Sequence, residues 1–292
     1  MTAVDQTVAR DADNLRRGES SAGAPGSGRA KSKLARRGFV SAGKISLHVL
    51  VVGSTLGFWQ YQASTGRIDP LLLPKPTKII AQIWRPHNSG TVWYNLHPTL
   101  ESLLVGFAIG SAVAFLLAVI FAEVPVVGSF FENYIHALGA IPFMVLAPLL
   151  LIWFSQAIEA SIFVVALTTF TSLFANLYTG LSNTDSRLLE LGRILGVSRL
   201  QRLTKLRWWA TLPYLFSGLK ASLPRAIFSA VVIEFLGTSR GLGYLMVSDG
   251  NNLDTASLFA DVIVLIVIIR SLLLFIHLVE ERVLAWRPKE QS

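Results

Sequence analysis

The chain has 292 residues, 52% of them hydrophobic and 15% charged, with a formal net charge of +8 and no cysteine. Soluble domains carry about a quarter charged residues, so the deficit marks a bilayer protein. The lack of cysteine excludes disulfides, iron–sulfur clusters, thiolate zinc sites and cysteine nucleophiles. The basic residues flank apolar runs instead of covering a soluble face, which assigns them to topology and anionic membrane lipid, not to nucleic acid.

In chain order, residues 1–44 are rich in Ala, Gly, Ser and Arg. Such a stretch cannot bury a core, and it reads as a disordered basic cytoplasmic tail. The first apolar run starts too late for a cleaved signal peptide and has no Ala-x-Ala site after it. A spanning helix needs about 20 mainly apolar residues. Six runs meet that length, at 45–62, 99–121, 135–154, 158–181, 213–236 and 256–279. The predicted fold is therefore all-α, a polytopic membrane protein with about six transmembrane helices in a domain at 45–286, followed by a cytoplasmic end at 287–292. Pro142 and Pro148 fall inside the third run, which is either one kinked helix or two half-helices.

Lysine and arginine set the orientation. The tail holds nine, the 183–212 loop six, and the chain end adds Arg282, Arg287 and Lys289. The opposite side holds only Arg67, Lys75, Lys78, Arg85 and Arg240. Both termini are thus expected in the cytoplasm. The tryptophans, among them Trp59, Trp153, Trp208 and Trp286, cluster near proposed span ends as an interfacial belt.

The 183–212 loop is long and orderly. Asp185 or Ser186 can cap a helix whose apolar stripe is Leu188, Leu191, Ile194 and Leu195. Gly196 supplies the left-handed residue that ends it, and Ser198 with Gln201 matches a capping box for a second helix. The stripe has two readings. It lies on the membrane surface, or it docks in a groove on another protein.

Glu190-Leu191-Gly192, with Gly196 six residues after the glutamate and Leu212-Pro213 at the end, resembles the "EAA" loop of binding-protein-dependent ABC importer permeases. Leu191-Gly192 replaces two alanines of that pattern, and Trp208-Trp209 stands where its first Leu-Pro falls. The stretches 72–81, 141–154, Val231-Val232-Ile233-Glu234 through Gly241-Leu242-Gly243-Tyr244, and 280–287 are similar to the nitrate, aliphatic sulfonate and taurine branch. The resemblance implies a type I ABC importer permease fold in a bacterial cytoplasmic (inner) membrane. It implies ATPase (nucleotide-binding) subunits docked on Glu190, Gly192, Gly196, Val197, Ser198 and Arg199. It further implies an extracytoplasmic solute-binding protein and a homodimer of permease subunits.

No phosphate-binding loop, metalloprotease motif or nucleophile elbow is present, and the five histidines show no ligand spacing. The expectation is a transport subunit with no catalytic residue, no metal and no cofactor. Glu234 is an intramembrane carboxylate, which marks a functional candidate or a helix-end residue that pairs with Arg240. Thr169, Ser172 and Asn176 lie mid-span in the fourth helix, either lining a translocation path or bonding to a neighbouring helix. Lys220 and Arg225 attract an anion or extend the positive-inside belt, and Gly106-x-x-x-Gly110 signals a close helix contact. Two alternatives stay open: an ion-coupled secondary transporter, which predicts inverted repeats and paired carboxylates, and a membrane enzyme, which predicts convergent titratable groups.

Overall fold

The computed structural model describes residues 47, 49–84 and 92–286, which form helices and connecting turns with no strand among them. The tail expected at 1–44 and the end at 287–292 lie outside the described residues. The chain divides into two compact units, Met1–Tyr61 and Gln62–Ser292. Helix α1 runs over 49–64, and its residues up to 58 are exposed. The second unit continues with α2 (Pro76–Ile83), α3 (Val92–Glu123) and α4 (Pro125–Ala140). A 3-10 turn (Phe143–Leu146) leads into α5 (Ala147–Trp153) and α6 (Ala157–Ser182). Then come α7 (Ser186–Ile194), α8 (Arg199–Arg202), a π-helical turn (Leu203–Arg207), α9 (Trp208–Gly237), α10 (Leu242–Asn251) and α11 (Thr255–Val283).

Proline explains several starts. Pro76, Pro125 and Pro148 occupy the first turn of α2, α4 and α5, where a missing amide hydrogen costs nothing. The third expected span is accordingly two half-helices. Helix α4 stops at Ala140, Ile141 takes extended dihedrals, and Pro142 precedes the 3-10 turn. By length and apolarity alone, three helices can cross a membrane among the described residues: Trp93–Glu123, Ala157–Ser182 and Thr255–Val283. That is fewer than the six expected, and the shortfall has visible causes. The first run, 45–62, begins among residues outside the described ones, the third is broken, and α9 is long enough but carries Lys220, Arg225 and Glu234.

Helix α6 is the axis of the bundle, with α3 along one side and α9 along the other. One core joins Ala114 and Ala118 of α3 to Leu173, Phe174 and Leu177 of α6. A second joins Leu103 and Val165 to Leu223, Ile227 and Val231 of α9, and a third seats Phe143, Ala147 and Leu150 on Val164 and Ile233. In lipid, helices gain little by hiding apolar surface from water, so close packing of small residues becomes the main adhesive. A β-carbon at Gly106 would stand 2.6 Å from the Ile162 carbonyl oxygen, and one at Gly110 would stand 2.3 Å from that of Ala166. On the other side, Gly218 fits against Leu173 and Asn176, and Gly180 against Tyr214. The Gly-x-x-x-Gly of the sequence is the α3–α6 seam.

Gly110→Ala therefore collides with backbone that cannot swing aside and should destabilise the chain by about 1–3 kcal/mol. Gly139→Ala, whose new β-carbon meets only Thr171 at 3.5 Å, should leave the thermal midpoint in detergent unchanged. Equal midpoints for the two variants would remove the seam from the account of stability.

Candidate functional site

Three features concentrate chemistry: a helical hairpin at one end of the bundle, a buried carboxylate toward the other, and a polar cleft between them. The hairpin is α7 with the stretch from Ser198 onward. The Arg187 amide donates to the Asp185 carboxylate at 2.9 Å, which caps the start of α7. Gly196 takes φ +70, and the Val197 amide reaches back to the Gly192 carbonyl at 2.9 Å. This is the Schellman ending that a left-handed glycine permits. The capping box also forms, with the Ser198 amide on Gln201 Oε1 at 3.1 Å and the Gln201 amide on Ser198 Oγ at 3.3 Å.

Gly192 is buried because α7 folds back there; a β-carbon on it would meet Leu206 at 3.1 Å. On the outer side, Leu191, Ile194 and Leu195 are exposed, the last two at 76% and 77%. From Arg199 the chain is continuously helical to Gly237, through the π turn. Arg207 ties this run to the end of α3, with an ion pair to Glu123 at 2.9 Å. Glu190 is exposed, and Val197 and Ser198 form the elbow between the two helices.

Glu234 is 3% exposed and is not paired with Arg240, which lies over the Tyr94 ring at 4.9 Å. Its Oε2 accepts from the Gly243 amide at 2.8 Å and from Thr99 Oγ1 at 3.0 Å. Thr99 Oγ1 accepts from the Leu242 amide at 2.9 Å, and Asn95 Oδ1 accepts from the Gly241 amide at 3.1 Å. Three side chains from α3 and α9 thus satisfy three successive amides where α10 begins. The first amides of a helix have no partner within it, and a carboxylate is also favoured by the positive end of the helix dipole. Gly241 has φ +124, and a β-carbon on it would stand 2.5 Å from the Glu234 carboxyl carbon. The glycine is required twice over, by conformation and by space.

The cleft lies where α4 breaks. A cavity of about 290 Å³ is lined by Ile141, Pro142, Thr168, Arg225, Phe228 and Ser229, among others. A second, of about 370 Å³, is lined by Ser172, Asn176 and Ala221. Both include Gly139, Ala140, Thr171 and Arg225. Irregular backbone at membrane depth is tolerated where it lines such a space. Arg225 donates to Ser172 Oγ at 3.3 Å, and Asn176 Nδ2 donates to the Ser172 carbonyl at 2.9 Å. Thr168 and Ser229 bond to each other at 3.1 Å across α6 and α9. Of the expected path residues, Ser172 and Asn176 meet in the cleft. Thr169 is fully buried against Gly110 of α3, and Glu234 sits at the start of α10. Sequence reasoning left Arg225 out of the path because a basic residue near a span start extends the positive belt equally well. Its signal was position: it lies seventeen residues into α9.

Comparison with known proteins adds a family. The family described as binding-protein-dependent transport system inner membrane component matches residues 106–285, more than half of the chain. The chain is 25% identical over 239 residues to a putative aliphatic sulfonates transport permease protein of Bacillus subtilis, covering 82% of this chain and 87% of that protein. It is 24% identical over 255 residues to a taurine transport system permease protein of Escherichia coli (85% and 92% covered). It is 29% identical over 222 residues to a formylaminopyrimidine transport permease protein of Halalkalibacterium halodurans (76% and 88% covered).

The cap on α10 makes a direct prediction. Thr99→Val removes the acceptor for the Leu242 amide and a donor to Glu234, and should cost about 1–3 kcal/mol, read as a lower thermal midpoint in detergent. Gly241→Ala should be at least as harmful. Arg240→Gln loses only a cation–π contact and should cost under about 1 kcal/mol. A Thr99→Val midpoint equal to that of the unaltered chain would show the cap to be inconsequential.

Proposed function

The chain belongs to the binding-protein-dependent transport system inner membrane components, a family of multi-pass membrane permeases, and we propose that it is the permease subunit of an ATP-driven importer. In this reading two copies form the translocation path in a bacterial inner membrane, with N- and C-termini cytoplasmic. ATPase subunits dock on the α7 hairpin, and an extracytoplasmic binding protein delivers the solute. The solute is a small polar molecule or organic anion of the nitrate, sulfonate or taurine kind, a class supported by the names of the sulfonate and taurine relatives.

The observation that carries the coupling role is the exposed face of α7. Leu191, Ile194 and Leu195 stand out on an elbow whose shape is fixed by Gly192, Gly196 and Ser198. A short apolar helix face of this kind fits a groove on a partner. Glu190, Val197 and Arg199 flank it in sequence, and the exposed Glu190 supplies a polar rim. ATPase closure displaces the hairpin as a rigid body, and the continuous helix from Arg199 carries the displacement into α9. Across the cleft from α9, Ser172 and Asn176 of α6 face the solute, while Thr169 and Glu234 hold the walls of the path by fixing α6 on α3 and α10 on α9.

The test is co-expression of the chain with a candidate ATPase subunit. Gly196→Leu places a β-branchless but bulky side chain at φ +70, a strain of about 1–2 kcal/mol, and Glu190→Lys reverses the rim charge. Each should lower co-purification of the ATPase by about tenfold while leaving the amount of inserted permease unchanged. Undiminished ATPase recovery from both variants would sink the coupling role.

A further inference from the structure

Arg225 stands apart from the two ion-paired cations of the bundle, and Arg270 of α11, which is also without a carboxylate partner among the described residues, lines neither cavity. Arg207 is paired with Glu123 and Lys220 with Glu280, at 2.9 Å and 2.6 Å. Among the described residues Arg225 has no carboxylate partner, and its bond is to the neutral Ser172 hydroxyl. It stands seventeen residues after Trp208 and twelve before Gly237, about 26 Å and 18 Å along the helix at 1.5 Å per residue. Neither distance can be spanned by a snorkelling side chain or by a lipid headgroup reaching in. An unpaired charge at that depth is costly, and by default it marks a solute or ion pathway. The guanidinium is exposed to the cleft, and its planar donor fork matches an oxyanion. Around it lie hydroxyl and amide groups of Thr171, Ser172 and Asn176, and no described acidic side chain lines either cavity.

We propose that Arg225 and Ser172 form an oxyanion subsite halfway along the path, which takes the sulfonate or carboxylate group of a small organic anion. The subsite rests on the permease reading, because only a translocated solute has reason to reach this depth. Arg225 supplies charge and a paired donor, Ser172 a second donor, and Asn176 its amide on the side of the cleft away from the helix break. The subsite selects among delivered solutes by charge, a filter separate from the binding protein's.

The test exploits the absence of cysteine from the chain. Ser172→Cys introduces a single thiol beside the guanidinium, and the full transporter is labelled in membrane vesicles with methanethiosulfonates bearing either a sulfonate or a trimethylammonium group. Rates are normalised to those of a free thiol and read on the permease by mass. The anionic reagent should be favoured, methanesulfonate should protect the thiol, and its neutral analogue dimethyl sulfone should not. Adding Arg225→Gln should lower the anion-to-cation rate ratio by about tenfold, as expected for removal of one charge a few ångströms away, and abolish protection. Arg225→Lys should retain most of the preference.

An unchanged ratio in Arg225→Gln, or equal protection by the neutral sulfone, overturns the subsite. If Arg225→Gln does not accumulate in the membrane, the comparison of methanesulfonate with dimethyl sulfone on the Arg225 background decides alone. ATPase co-purification reads the permease separately. ATPase recovery without charge preference at the thiol removes the subsite only, and charge preference without ATPase recovery removes the ATP-driven coupling and leaves the subsite.

Discussion

A backbone amide or carbonyl away from water must find its partner inside the protein, and in a bilayer an unmet one costs several kcal/mol. Two departures from regular helix in this bundle answer that demand in different ways. The start of α10 exposes three amides at once, and Asn95, Thr99 and Glu234 accept from them. The carboxylate can stay buried because it takes an amide and a hydroxyl. Removing one member leaves the others short of partners, so the three residues act as a unit even though they come from two helices.

The break between α4 and α5 answers the same constraint differently. Here the irregular backbone, Ile141 and Pro142, borders open space that also holds Arg225, Thr168 and Thr171. The bundle thus has a sealed irregularity at α10 and an open one at α4. The sealed one fixes geometry; the open one offers polar groups to whatever enters. Close contacts on glycines on both sides of α6 leave its neighbours little freedom to shift relative to it. The cleft wall formed by α6 and α9 is therefore stiff, and α4 is the wall with fewer such ties.

Local chemistry was legible in the sequence, and long-range partnership was not. The Asp185 cap, the left-handed Gly196 and the Ser198–Gln201 box each depend on residues within a few positions, and all three form. The Gly106–Gly110 spacing likewise carries its meaning on one helix face. Glu234 was singled out correctly as unusual, yet its partner Thr99 lies 135 positions away, so no spacing rule could name it. Lys220 and Arg225 looked alike in sequence; what separates them is Glu280, on another helix. The third span shows the same limit, since two prolines announce a break without saying whether the chain bends or stops.

The π turn at Leu203–Arg207 has a consequence of its own. Its closing bond runs from the Trp208 amide to the Leu203 carbonyl, five residues back instead of four. One turn therefore holds an additional residue, and the helix faces before and after it are out of phase by roughly the 100° that one residue spans. Hairpin and span are set at a fixed angular offset along one unbroken helix. The lengths of the two segments need not agree to the residue, because this turn is the joint at which a mismatch of one is absorbed.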